Sequence, residues 1–439
     1  MRTLFLTLLV CLTAGSLTQA QTQGQPSLMP LPSSMQSGPG HLLINQQFTL
    51  AMTGYKEARL DRAAQRFIKS LTTQTGMPFH PTSSDPAKAT MRVNVAHASL
   101  PVQDIGDDES YKLEVTSQGA VLTAVTPIGA LHGLQTFLQL VQLGSDGFSV
   151  AAISIEDRPR FPWRGLLIDV SRHFIPLDVL KRNLDGMAAV KLNVLHWHLS
   201  DNEGFRVESK QLPKLHELGS EGLYYTQAEI REFIDYARDR GIRVMPEFDI
   251  PGHSRSELAD YPELASGPGP YRVERAADSQ DPVIDPTQDK TYKFLDKLIG
   301  EMAGLFPDPY FHIGGDEVNG KQWDANPKIQ EFIRAHGMKN NQDLQAYFNQ
   351  KLQKIVAKHH KTMVGWDEVL HPDLPKSVVV QSWRGQASLA AAVKEGYRGL
   401  LSYGYYLDLM WPASRHYGID PMSGDAATLT PEQSKMILG

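Results

Sequence analysis

Two rhythms of apolar and polar positions run along the chain. In the first third, "YKEARLDRAAQRFIKSL" (55–71) carries Leu60, Ala64, Phe67 and Leu71 at helical spacing. "YKLEVTS" (111–117) and "AVLTAV" (120–125) read as strands around a tight Gln118-Gly119 turn. "TPIGALHGLQTFLQLVQLG" opens a helix with Thr126 as N-cap and Pro127 at the first helical position. "FSVAAISIED" closes the unit as a strand. This pattern predicts a small α/β domain over 42–157, preceded by a flexible leader at 21–41 rich in Gln, Ser, Pro and Gly. The small domain shows no cluster of acids, bases or ligands, so it reads as an accessory module.

After "DRPRFPWRG" the rhythm changes. Short apolar runs alternate with helical patterns: 165–170, 192–199, 242–249, 310–315, 362–368, 377–383 and 399–404. "TQAEIREFIDYARDRG" is one of the helices between them, with Thr226 and Glu229 forming a capping box and Gly241 ending it. Runs apolar on both faces, joined by helical crossovers, indicate a parallel sheet. Seven such units over 158–439 predict an α/β fold, a (β/α)8 TIM-type barrel truncated before its last strand. An open barrel would leave two sheet edges unpaired. The terminal "TPEQSKMILG" reads as a helix followed directly by the end of the chain.

Polar residues gather where these strands finish. They are Asp169, Arg172 and His173, then His196, His198 and Asp201, then Glu247, Asp249 and His253. Asp316 and Glu317 follow the fourth run, Trp366 and Trp383 end the fifth and sixth, and Tyr405, Tyr406 and Asp408 follow the seventh. In a barrel all of these face one mouth. Aromatic faces among carboxylates and an arginine suit a sugar, because rings stack on a pyranose while Asp, Arg and His bond its hydroxyls.

Composition narrows the class. Of 439 residues, 41% are hydrophobic and 21% charged, enough for a sizeable core. The net charge of -6 provides no basic stripe, which argues against nucleic acid as a partner. "MRTLFLTLLVCLTAGSLTQA" (1–20) reads as a signal peptide, with Arg2 before a short apolar core and a small-residue cleavage site at Thr18-Gln19-Ala20. No other run is apolar enough to span a membrane. The only cysteine, Cys11, lies in that segment, and no Asn-x-Ser/Thr site occurs. The expectation is an exported bacterial protein, periplasmic or secreted. A homodimer is one assembly the sequence leaves open.

Two chemistries compete at the strand ends. Glycoside hydrolysis ordinarily places two carboxyl groups on opposite sides of the scissile bond. Asp316 and Glu317 are neighbours and fit that scheme only if Glu317 protonates the leaving oxygen, Asp316 holds a substrate group, and the substrate supplies the nucleophile. A metal hydrolase would use His196 and His198 with Asp201, Asp249 and His253 as ligands. An inactive sugar-binding barrel is the non-enzymatic alternative.

"LLIDVSRHF", "KLNVLHWHLSDNEGFR", "VMPEFDIPGHS" and "HIGGDEV" resemble, in that order, the signature segments of the glycoside hydrolase family 20 β-N-acetylhexosaminidases. The likeness covers most of 160–439, and the first domain resembles the small α/β domain that precedes the barrel in that family. The resemblance implies retaining, substrate-assisted hydrolysis of terminal GlcNAc or GalNAc from glycans or chitin oligomers, with no cofactor and no metal. By it, Asp316 would orient the acetamido group and Glu317 would be the general acid and then base. Arg172 would clamp sugar hydroxyls. Trp366 and Trp383 would wall the acetamido methyl, Tyr406 would bond the acetamido oxygen, and Asp408 would hold hydroxyls. Asp201 and His253 would be supporting polar residues. Family members continue into a last strand with a glycine-rich segment, a tryptophan flooring the sugar site and an acid, none of which is present. Residues 1–439 alone are therefore expected to fold poorly or lack activity. Cooperative unfolding of this chain together with turnover would contradict that expectation.

Overall fold

The computed structural model describes residues 26–79, 85–274 and 282–439. The signal segment expected at 1–20, with Cys11, lies outside the described residues.

The first sheet comprises β1 (Ser34–Leu43), β2 (Leu50–Gly54), β3 (Met91–Val95), β4 (Tyr111–Thr116), β5 (Gly119–Ala124), β6 (Gln142–Gly144) and β7 (Gly147–Asp157). Its order is β1-β7-β4-β5-β3-β2, with β6 on β7. Buried and exposed positions alternate along β3 and β4, so one face is covered. The helices Ala58–Thr75 and Pro127–Leu140 supply apolar side chains to that core. The second helix lies unusually close to the sheet. A Cβ at Gly129 would stand 2.1 Å from the Ser110 carbonyl oxygen, and one at Gly133 2.2 Å from Leu122 Cδ1.

Two expectations need correction here. Residues 34–41, expected in a flexible leader, belong to β1, which pairs antiparallel with β7 from Ser34–Glu156 to Leu43–Ser149. β1 is an edge strand held by backbone bonds and buries little, so it needs no apolar alternation and leaves none to read. The β4–β5 turn is Ser117-Gln118, since Thr116 pairs with Gly119.

The second sheet comprises β8 (Gly165–Asp169), β9 (Val194–Asp201), β10 (Gly204–Phe205), β11 (Arg243–Phe248), β12 (Tyr310–His312), β13 (Thr362–Trp366), β14 (Val379–Ser382) and β15 (Arg398–Leu401). Seven strands run parallel in the order β8-β9-β11-β12-β13-β14-β15, while β10 folds back on β9. The helices Leu177–Ala189, Gln227–Arg238, Asp289–Leu305, Asn341–Lys358 and Gln386–Lys394 lie on the crossovers. β9 and β11 are buried on both faces, as a parallel sheet covered by helices requires.

The expected open edges are partly closed. After a short helix at Pro431–Ser434, residues 436–439 take an eighth position at the base. The Gly399 N–H donates to the Met436 carbonyl at 3.0 Å, and the Leu438 N–H to the Gly399 carbonyl at 2.8 Å. On the other side the Trp163 N–H donates to the Leu438 carbonyl at 3.0 Å. A strand contact of four residues carries no readable period, which is why "MILG" passes for a helix tail.

Inward positions change character from base to mouth. Trp163, Val194, Met245, Tyr310, Val364, Val379, Leu400 and Leu438 form an apolar floor. Above it, His196 and His198 of β9 meet Glu247 of β11 and His312 of β12. Trp197 points the other way and packs on Tyr225 and Phe233 in the layer between strands and helices. The site therefore stands on a rigid base. No helix among the described residues is long and apolar enough to cross a membrane.

A buried polar seam joins the two sheets. The Lys191 ammonium donates to the Tyr111 hydroxyl and to Asp157 Oδ2, both at 2.9 Å, and the Tyr111 hydroxyl donates to the same oxygen at 2.9 Å. Beside it, Glu109 accepts from Arg164 and, at 2.8 Å, from the Asn193 amide. Replacing Lys191 with Met leaves Asp157 buried without its cation. The variant is expected to lose about 3 kcal/mol, the usual cost of breaking a buried pair by removing one partner. Denaturant unfolding checks this, and an unchanged midpoint would refute it.

Candidate active site

The mouth is built on one carboxylate. Asp201, at the end of β9, is fully buried. Its Oδ1 accepts from the Asn202 N–H at 2.6 Å and lies 3.1 Å from His253 Nδ1. Its Oδ2 lies 3.0 Å from His198 Nε2 and 2.7 Å from Arg172 Nη2. Burial works against its charge, but the bonds from His198 and His253 outweigh it and hold the carboxyl well below the usual range. Arg172 is gripped at its other nitrogen by Asp169 Oδ2 at 2.7 Å, so its guanidinium spans the ends of β8 and β9.

His253 faces the acid pair. Its Nε2 is 3.8 Å from Asp316 Oδ2 and 3.4 Å from Glu317 Oε2. Burial opposes protonation, but the Asp201 bond and the charges of Asp249, Asp201 and Asp316 push it up to about 11. The imidazole is therefore a cation.

Two adjacent acids reach one imidazole because the chain leaves the strand there. Side chains on a strand alternate. After β12, however, Gly314 and Gly315 adopt φ of 64° and 95°, and Glu317 adopts 50°. At Gly314 a Cβ would sit 1.8 Å from Asp249 Oδ1 and 2.8 Å from its Cα, so only glycine fits. The Asp249 carboxylate oxygen in turn accepts the Gly315 N–H at 3.0 Å. The turn leaves the Asp316 side chain 19% exposed and that of Glu317 60% exposed. Burial raises Asp316, His253 opposes the rise, and Glu247 adds to it. Wholly buried Asp249 is raised further, by burial and then by Asp316.

Beneath lies the imidazole layer. Glu247 Oε2 is 2.7 Å from His196 Nε2 and 2.8 Å from His198 Nδ1, and its Oε1 is 3.1 Å from His312 Nδ1. The Trp366 indole N–H donates to Oε1 at 3.0 Å. Burial lowers His196 to about 4, despite the opposing charge of Glu247. His198 lies between two carboxylates, which override burial and raise it well above its ordinary value. His196, Glu247 and His312 offer potential ligand atoms within 4.8 Å of one another, as do His198 with Asp201 and Asp249, and Asp249 with His253 and Asp316.

The structure thus brings Arg172, Asp201, His253, Asp316 and Glu317 into one connected set. Trp366 is buried and joins it through Glu247, with its ring 5.0 Å from that of His312. Trp383 follows β14 and donates its indole N–H to Glu368 at 3.1 Å. Tyr406 is 37% exposed; burial and then the Asp316 charge raise its phenol. Asp408 stands exposed on the same loop, its charge reaching Tyr406. Sequence reasoning missed Gln345, whose amide donates to the Gly315 carbonyl at 2.7 Å from the neighbouring helix. One glutamine among several polar helix residues gives no signal. It also missed Glu368, although "GWDE" repeats the acid pair of "GGDE".

A model of the glycosyl hydrolase family 20 catalytic domain matches residues 161–431, and one of the family's domain 2 matches 25–158. The chain belongs to glycosyl hydrolase family 20. It is 39% identical over 350 residues to human β-hexosaminidase subunit beta, covering 76% of this chain and 62% of that one. It is 36% identical over 333 residues to a β-hexosaminidase of Porphyromonas gingivalis, covering 72% and 42% respectively. Among solved structures, Flavobacterium johnsoniae chitobiase superposes with a TM-score of 0.89 at 45% identity, covering 94% of this chain and 64% of that one. The Vibrio harveyi exo-β-N-acetylglucosaminidase in complex with N-acetylglucosamine superposes with a TM-score of 0.78 at 29% identity, covering 94% and 68%. The chain thus spans less than two thirds of the length of the human, P. gingivalis and F. johnsoniae relatives.

For this family 20 chain, the raised His253 makes a pH prediction. An ordinary histidine titrates near pH ~6.5. With its folded value near 11, the stability His253 contributes is fully present below ~6.5 and is lost as pH rises toward 11. Its ring resonances are expected not to titrate by NMR between about pH 5 and about pH 9. A midpoint near the ordinary value would overturn the assignment.

Proposed function

We propose that the protein is an exo-acting β-N-acetylhexosaminidase. It releases terminal GlcNAc or GalNAc from the non-reducing ends of glycans or chitin oligomers, with retention and with help from the substrate's acetamido group. The observation that carries this reading is the approach of Asp316 and Glu317 to a single nitrogen of His253, at 3.8 and 3.4 Å. In the two-carboxylate scheme the acids flank the sugar, about 5–10 Å apart. Neighbours converging on one imidazole do not flank a ring, so the nucleophile comes from the substrate.

In the first step the acetamido carbonyl oxygen attacks the anomeric carbon. The glycosidic bond breaks, and Glu317 passes its proton to the departing oxygen. The product is a cyclic oxazolinium. Asp316 accepts the acetamido N–H and balances the developing positive charge. In the second step Glu317 takes a proton from water, the hydroxyl adds to the anomeric carbon, and the oxazolinium opens. Its greater exposure suits Glu317 to meet both leaving group and water, while the more enclosed Asp316 suits the acetamide. Arg172 holds sugar hydroxyls with its free edge, Trp366 and Trp383 flank the acetamido methyl, Tyr406 bonds the acetamido oxygen, and Asp408 reaches hydroxyls from its loop. The steps balance without a cofactor. The names of the chitobiase and hexosaminidase relatives, and the sugar held by the Vibrio harveyi enzyme, support this substrate class. Export to the periplasm or medium is part of the proposal, supported by the apolar segment at 1–20.

The nitrophenyl β-glycosides of N-acetylglucosamine and glucose test it. Assayed with the last strand that family members carry also in place, only the first is expected to be cleaved, and Glu317→Gln should lower kcat by about a thousandfold. Equal cleavage of both sugars would refute assistance by the substrate.

A further inference from the structure

Two loops at the mouth are laced by a second pair of adjacent acids. Asp367 and Glu368 follow Trp366 at the end of β13, and Ser382, Trp383 and Arg384 follow one another at the end of β14. Buried Asp367 takes the residues on either side of the tryptophan. Its Oδ2 accepts from the Ser382 hydroxyl at 3.2 Å, and its Oδ1 from Arg384 Nε at 2.9 Å. Glu368 takes the tryptophan itself, with the indole N–H 3.2 and 3.1 Å from its two oxygens. The backbone of the Trp383 loop is thus fixed by one acid and the indole by the other.

An indole on a fixed backbone still has two side-chain torsions. The ring carries a single N–H. Anchoring that N–H at both carboxylate oxygens selects one orientation, and a charged acceptor makes the anchor stronger. Trp366 is held by the same device from below, through its N–H to Glu247. Each tryptophan of the site therefore has its own carboxylate. Glu368 is half-buried.

We infer that Glu368 is a positioning residue that fixes the Trp383 indole and so sets how closely the site fits the acyl group on the sugar nitrogen. This rests on the proposed role of Trp383 as an acetamide wall. It extends that role to selectivity between acyl groups, which Asp316 and Glu317 cannot provide because they meet the N–H and the glycosidic oxygen.

Titration of the anchor supplies a separate readout. Burial raises Glu368 to about 7, with the Trp383 bond lowering it, Asp367 raising it and Arg384 lowering it. The anchor therefore strengthens as pH rises through about 7 and the carboxylate forms.

The experiment compares kcat/KM for the N-acetyl and N-propionyl nitrophenyl glucosaminides. Glu368→Ala is expected to raise the N-propionyl/N-acetyl ratio by about fivefold, because a freed indole yields to one extra methylene. Glu368→Gln keeps an acceptor and is expected to move the ratio less. The wild-type ratio should fall between about pH 6 and about pH 8, while that of Glu368→Gln stays flat. A merely structural role would lower both substrates together and leave the ratio unchanged, which would overturn the inference. Trp383→Ala separates the two levels. If it shifts the ratio and neither Glu368 variant does, positioning by Glu368 fails alone. If Trp383→Ala leaves the ratio unchanged, the wall assignment fails and the inference falls with it. Should Glu368→Ala not fold, the isosteric Glu368→Gln and its pH profile decide the question.

Discussion

The site depends on burying the Asp201 carboxylate. A bare carboxylate taken out of water is costly by many kcal/mol. Here it meets four donors from different parts of the ring: Asn202, Arg172, His198 and His253. Each donor is itself aimed by the bond. Arg172 is drawn across from β8, and His253 is turned so that its far nitrogen faces Asp316 and Glu317. His198 carries the connection down to Glu247, and Glu247 carries it to Trp366. Remove the carboxylate and the arginine, the imidazolium and the lower layer lose their common reference.

Charge explains why the barrel interior is layered. The floor is apolar and offers no polar side chain to a charge just above it. Glu247, fully buried, is accepted there because three imidazoles surround it and an indole donates to it. His198 is raised between Glu247 and Asp201, and His253 between Asp201 and the acid pair, so carboxylates and imidazoles alternate upward. Asp249 stands apart, its carboxyl pushed up by burial and then by the neighbouring Asp316.

The legible parts of the sequence were those with long-range pattern. All seven parallel strands were readable, because a run apolar on both faces between two helical patterns fits little besides a strand covered by helices. The strand ends gave Arg172, Asp201, His253, Asp316 and Glu317, since polar residues in register at one mouth mark a site. The illegible parts were short or one-sided. β1 buries almost nothing, and the contact at 436–439 is a few backbone bonds, so neither leaves an apolar signature. Gln345 acts through one side-chain amide on one carbonyl, a contact that exists only in three dimensions. Asp408 was placed with Tyr406 by its position in the loop, yet it stands in solvent with its charge merely in range.

The two acid pairs show why neighbouring carboxylates recur at this mouth. "GGDE" and "GWDE" each follow a barrel strand, and in each the first acid is the more enclosed and meets a group from a neighbouring strand end. Asp316 sits beside Asp249 of the preceding strand, while Asp367 ties Ser382 and Arg384 of the following one. The second acid is left partly exposed and reaches into the mouth, Glu317 toward His253 and Glu368 toward Trp383. A chain turning out of a strand releases its side chains from strict alternation, so adjacent acids need not point to opposite faces. Adjacent acids at a strand end thus do two jobs from one turn of backbone. In the second pair, Asp367 secures the loop to its neighbour while Glu368 meets the Trp383 indole.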